Sequence, residues 1–328
     1  MKIGIKKRLA ELFHSTKEYL GLMVFLVALL IFFGIFTHNF FSRINLMTIA
    51  NQITDITIIS VGMTFVLIIA GIDLSVGAVM ALAGAVMGVV LTKYQCPLRY
   101  GILACVATGL VCGFVNGLVT VRWKLPSFIV TLGMMQIARG TCQRITNSQT
   151  QYIGSSMSVI TDTAIFGIPL PVFLAIIIVL AGHFVLTRTV FGRYLIAIGT
   201  NEEAVRLSGI DSRPIKLAVF MICAFLTSLA AVLHTARAEC ATPLAGEGYE
   251  LEVIAAVVIG GTSLMGGRGS VISSFFGVLI IAVLGAGLIQ IGAQDPTKLI
   301  IIGCVIVAAV ILDHYRRRLG ERSATRLS

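Results

Sequence analysis

Long apolar runs, each cut off by a short polar stretch, dominate this chain and leave it few ways to fold. They cover Leu20–Phe36, Ile56–Ala70, Leu74–Leu91, Gly101–Val121, Pro126–Ala138, Leu170–Leu186, Leu217–Leu233, Leu251–Leu264, Val271–Ile291 and Leu299–Leu312. A helix needs about 20 apolar residues to cross the hydrocarbon of a bilayer, with a range of about 17–25. Several runs reach that length alone, and the Ile56 run does so if it begins near Leu46. The Pro126, Leu251 and Leu299 runs are shorter and predict tilted, broken or re-entrant pieces. Charged residues make up only 12% of the chain, against about 25% in a water-soluble domain, so there is too little polar surface to cover it. The expectation is an all-α integral membrane fold of about ten transmembrane helices, some broken or short.

Orientation follows from the basic residues. With ten spans and the N-terminus inside, 18 of the 25 Lys and Arg residues fall on the inner segments. That bias predicts cytoplasmic N- and C-termini. The reading is of a single polytopic domain over 1–328, with basic cytoplasmic tails at 1–19 and 313–328 and a polar cytoplasmic island at 192–211. The net charge of +10 then calls for anionic membrane lipid and for no nucleic acid. The first run ends in Thr37-His-Asn-Phe-Phe41 with no small-residue cleavage site, so it reads as an anchor and not a removed signal. Residues 143–169 form a long outer segment suited to meeting a partner outside.

The island contains a short capped helix. Thr200 with Glu203 three residues later is a capping-box pattern, and Gly209 offers a left-handed stop. Glu202 and Glu203 lie in the first turn and Arg206 near the end, as the helix dipole favours. A rigid charged helix between two spans implies something that it meets.

A second interruption, Gly71-Ile-Asp-Leu-Ser-Val-Gly77, separates two apolar runs without a proper loop. Irregular backbone at membrane depth is tolerated where protein buries it or water lines it. Asp73 has two compatible readings there: a group lining a cavity, or a cap for the helix that follows. Asp55 lies one turn from Asn51 and Gln52 and reads as part of a local hydrogen-bonded patch at the outer end of its helix. Gly109, Gly113 and Gly117, like Gly84 and Gly88, form small-residue stripes for close helix packing within the chain. Trp123 beside Arg122 reads as an interfacial anchor.

Other chemistry is sparse. Gly260–Ser270 lacks the Lys of a phosphate-binding loop and reads as a tight glycine turn on the inner face. The seven cysteines show no metal spacing and read as small buried hydrophobes. The five histidines are scattered, with no HExxH and no GxSxG, so neither a cofactor, a metal site nor a catalytic cluster is expected.

Four motifs in order, GIDLSVG at 71–77, PSFIVTLGMMQIARG at 126–140, GRYLIAIGTNEEAVRLSGI at 192–210 and GYELEVIAAVVIGGTSLMGGRGS at 248–270, resemble the inner-membrane permeases of ribose-type ABC sugar importers. The resemblance runs from about residue 39 to 311. It implies a permease subunit, without enzymatic activity of its own, that moves a ribose-like monosaccharide or derivative across the cell inner membrane. It implies a cytoplasmic ABC ATPase subunit, a periplasmic sugar-binding protein and a second permease copy or paralogue as partners. The family's coupling segment falls on Thr200, Asn201, Glu202, Glu203, Ala204, Arg206, Gly209 and Ile210, with Val205 where the general motif has a second Ala. Gly71, Asp73, Ser75, Gly77 and Asn116 are the candidates for the translocation path. The alternative is a secondary transporter or channel for a small polar solute, resting on Asp73 and Asp55.

Overall fold

The computed structural model describes residues 20–311 apart from 38, 295, 299, 306, 309 and 310, so the tails at 1–19 and 313–328 lie outside the described residues. The helices include α1 (Leu20–Phe36), then α2 (Arg43–Ile68), α3 (Val76–Thr92), α4 (Leu98–Trp123), α5 (Ser127–Thr146), α6 (Ser158–Asp162), α7 (Leu170–Arg188), α8 (Val190–Leu207), α9 (Ser212–Ala238), α10 (Tyr249–Ile259) and α11 (Val271–Gln290). By length and composition, α2, α4, α7, α9 and α11 can each cross a membrane. Those five account for half of the expected crossings. The other described runs fold into shorter or more polar helices.

Helix α2 is the centre of the bundle, with 83% of its apolar window buried. Two glycine contacts set how its neighbours lie: Gly62 meets the backbone of Cys223 in α9, and Gly182 of α7 meets Val61 and Val271. The expected small-residue stripe on α4 packs within the chain. Gly109 faces Ala224 and Ser228, Gly113 faces Phe220 and Ala224, and Gly117 faces Leu217. Residues four apart share one helix face, so α4 lays that face along α9 at a separation that a Cβ would forbid. These contacts gather the C-termini of α2, α4 and α7 with the N-termini of α9 and α11 at one end of the bundle, together with the 192–211 island.

Two helices begin inside the bundle. Helix α10 has 11 residues, a length of about 16 Å, against a hydrocarbon core of about 30 Å. The residues before it turn through Gly246 (φ +63°) and Gly248 (φ +82°). A Cβ on Gly77, at the start of α3, would collide with the carbonyl of Gly246. The start of α3 and the turn into α10 therefore meet backbone to backbone in the interior.

At the opposite end, the 143–169 segment forms β1 (Gln151–Tyr152), α6, and a hairpin of β2 (Ala164–Ile165) with β3 (Ile168–Pro169). Strand β1 pairs antiparallel with β4 (Cys240–Ala241). Arg139 Nη1 donates to the carbonyls of Pro243 (2.5 Å) and Ala245 (3.0 Å), which holds the chain leading into α10 against α5.

The expected local patch around Asp55 is overturned. Asp55 is fully buried, and its partners come from α9. Arg237 Nη2 donates to Oδ2 at 2.5 Å, Arg237 Nη1 to Oδ1 at 3.2 Å, and His234 Nδ1 lies 2.9 Å from Oδ2. Arg237 Nη1 also donates to the Asn51 carbonyl at 2.6 Å. A lone buried carboxylate would be very costly, whereas a cation with several hydrogen bonds offsets that cost. Arg237→Gln removes the guanidinium and leaves this carboxylate with His234 alone, and is expected to destabilise the protein by about 3 kcal/mol. Adding Asp55→Asn to that variant should recover part of the loss. Thermal unfolding of the two variants in detergent tests this, and additive losses would contradict it.

Candidate coupling segment and broken-helix site

The island is helical, but its cap differs from the expected one. Helix α8 is kinked at Asn201 (φ −160°, ψ 94°), and Asn201 Oδ1 accepts the Ala204 N–H at 2.9 Å. Thr200 ends the preceding helical stretch, donating its hydroxyl to the Ile196 carbonyl at 2.7 Å. Asn201 therefore caps the second turn in place of Thr200, and Glu203 pairs with Arg206 at 2.5 Å instead of closing a capping box. That pair is exposed and contributes little stability.

The end of the segment is as expected. Gly209 has φ +82°, its N–H donates to Arg206 O and the Ile210 N–H to Val205 O, the bond pattern of a left-handed helix stop. Val205 is buried on the underside, so the side chain that replaces the motif's second Ala fills the contact with the bundle. Glu202 ties the segment to α9. Its Oε1 accepts from Ser212 Oγ and its Oε2 from Lys216 Nζ, both at 2.7 Å. Burial pushes the Glu202 carboxyl up, but the bonds from Lys216 and Ser212 and the charges of Lys216 and Lys124 outweigh it and hold the group below its ordinary value. The tether is thus intact at neutral pH.

Beneath the kink lies a contact made almost wholly of backbone. A Cβ on Gly199 would collide with the Ile68 carbonyl at the end of α2 and with the Gly267 nitrogen. Gly267 N–H donates to Ile68 O at 2.9 Å, and Gly266 lies against Ala70 and the Gly199 carbonyl. Three chain segments meet here: 68–70, 199–200 and the glycine turn 266–267. Gly266 and Gly267 both have positive φ, which glycine adopts without a steric cost. The turn expected from Gly260–Ser270 is therefore the seat on which the kinked helix rests.

The 71–77 break continues directly from that seat. Ala70 takes a left-handed conformation (φ 58°), and Gly71 N–H closes back on Val66 O. The chain then runs without helical bonds to Ser75, and α5 supplies the missing partners. Ile72 N–H donates to Ser127 Oγ (2.9 Å), Leu74 N–H to Thr131 Oγ1 (3.0 Å), and Thr131 Oγ1 donates to Ile72 O (3.2 Å). Asp73 is buried and its Oδ1 accepts from Ser75 N (2.9 Å) and Ser75 Oγ (2.6 Å). Asn116 Nδ2 donates to Ser75 Oγ at 2.9 Å. Asp73 thus holds the turn into α3, which starts at Val76 and not at Leu74.

Asp73, Ser75 and Asn116 form one buried cluster, with Gly71 and Gly77 at the two ends of the break. Asn116 Oδ1 and, one turn on, Thr120 Oγ1 are buried and find no partner among the described residues. Thr120 also borders a cavity of about 780 Å³ lined by Lys124, Glu202, Glu203, Arg206 and Lys216. Thr120 thus lies between the cluster at the break and the cavity under the island. Sequence reasoning missed Ser127, Thr131, Gly199 and the Gly266–Gly267 pair. The four-residue spacing of Ser127 and Thr131 places both hydroxyls on one face of α5, a signal legible in the sequence. The partners of the glycines carry no such signal.

Residues 45–310 match the family described as the branched-chain amino acid transport system / permease component. The chain is 38% identical over 317 residues to the ribose import permease protein of Escherichia coli (strain K12), covering 93% of this chain and 97% of that relative. It is 32% identical to the fructose import permease protein of Rhizobium meliloti (96% and 90% covered). It is 33% identical to the xylose transport system permease protein of Escherichia coli (strain K12), with 93% and 95% covered. With a family match over most of its length and relatives aligned nearly end to end, this chain belongs to that family of transport-system permeases.

Proposed function

We propose that this chain is the membrane-spanning permease of an ABC importer that carries a monosaccharide or a close derivative across a bacterial inner membrane. The observation that carries the coupling part of this reading is the contact of Gly199 and Gly267 with Ile68. The exposed island sits, with no side chain between, on the segment that leads into the break. A load placed on residues 201–209 by an ATPase subunit would be passed to 71–77 through backbone contacts, which have little room to yield. In this reading Thr200, Asn201, Glu202, Glu203, Ala204, Arg206, Gly209 and Ile210 form the surface that meets the ATPase. Gly71, Asp73, Ser75, Gly77 and Asn116 are the part of the path that responds. The sugar assignment rests on the relatives, whose names include ribose, fructose and xylose; the bias of Lys and Arg along the sequence supports a cytoplasmic side for the island and both termini. A binding protein outside and a second permease copy or paralogue complete the assembly.

In liposomes, the purified chain alone should move no sugar, and uptake should require the ATPase subunit, the binding protein and ATP. Uptake by the chain alone would contradict the proposal and favour a secondary transporter. Separately, Gly199→Ala forces a methyl group against the Ile68 carbonyl. In the assembled complex, uptake should fall at least tenfold while ATP hydrolysis persists, uncoupling the two. Wild-type uptake by this variant would remove the proposed connection.

A further inference from the structure

The end of α4 and the start of α9 enclose a groove of about 210 Å³ lined by Leu118, Val121, Arg122, Arg213, Pro214 and Leu217. It lies where two spans stop, because α4 ends at Trp123 and α9 begins at Ser212. Leu118, Val121 and Leu217 sit within the spans and form an apolar floor, while the two arginines stand at the boundary. Arg122 and Arg213 are exposed, and neither has an ion-pair partner among the described residues, where the pairs engage Arg206, Lys216, His234 and Arg237. Nearby carboxylates are already engaged. Glu202 holds Ser212 and Lys216, Glu203 holds Arg206, and Asp211 accepts the backbone N–H of Arg213. Trp123, next to Arg122, is 63% exposed, in keeping with an aromatic anchor at headgroup depth.

An apolar floor inside the hydrocarbon with two unpaired guanidinium groups at its edge is complementary to a lipid anion. Guanidinium forks bind phosphate oxygens in pairs, and the volume suits a phosphate with the first part of one acyl chain. We propose that this groove binds an anionic phospholipid, its phosphate between Arg122 and Arg213 and its chain along Leu118, Val121 and Leu217. The inference does not depend on which solute is carried.

The test uses the purified full chain in nanodiscs of phosphatidylglycerol and phosphatidylcholine, with retained lipid counted by native mass spectrometry. Wild-type protein should retain phosphatidylglycerol in preference to phosphatidylcholine. Each attraction of a surface arginine to anionic lipid corresponds to roughly a fivefold change in affinity. Arg122→Gln and Arg213→Gln should therefore each weaken retention about fivefold, with a greater loss when combined. Arg188→Gln, an exposed charge at the same end of the bundle, should leave retention unchanged. Undiminished retention by the single variants, an equal loss in Arg188→Gln, or equal retention of the two lipids would each overturn the proposal. So would full displacement of phosphatidylglycerol by inorganic phosphate, which would make a free anion the ligand.

Discussion

The contact on which the rest of this molecule depends is the meeting of three backbones at Ile68, Gly199 and Gly267. No side chain intervenes, and one hydrogen bond, Gly267 N–H to Ile68 O at 2.9 Å, joins the glycine turn to the end of the central helix. Interiors packed this closely transmit displacement because they have little free volume to absorb it. Ile68 is separated from Asp73 by a few residues, and Gly199 from the Asn201 cap by one. A short mechanical distance thus links an exposed helix to a buried break.

The break itself is possible only because its polar groups are satisfied. In a low-dielectric interior an unpaired backbone group costs several kcal/mol, and here Ser127 and Thr131 of α5 stand in for the missing helical bonds. Asp73 and Ser75 then fix the first turn of α3, and Asn116 binds that turn to α4. The same economy governs the other buried acid, Asp55, which Arg237 and His234 enclose. Both acids are tied into the packing of helices, whereas the buried oxygens of Asn116 and Thr120 find no partner among the described residues, and Thr120 borders the cavity beneath the island.

Much of this was legible in the sequence, and the rest was not for identifiable reasons. Apolar runs gave the helices and the glycine stripe marked the packing face of α4, because length and spacing are local properties, whereas α9 as the partner of that face was not readable. Gly209 was readable as a left-handed stop for the same reason. The cap falls on Asn201 and not on its neighbour Thr200: both are good capping residues, and which of the two leaves helical geometry has no local mark. The partners of Asp55 could not be read, since Arg237 is 182 positions away. Nor could the pairing of Gly199 with Gly267, which depends on how three distant segments converge.

Joined through Ile68, the island and the break are expected to respond as one body. Hydrogen–deuterium exchange of the assembled importer, with and without a non-hydrolysable ATP analogue, tests it most directly. Nucleotide should change the exchange of residues 199–209 and of residues 70–77 together. A change confined to 199–209, with 70–77 exchanging as before, would contradict it.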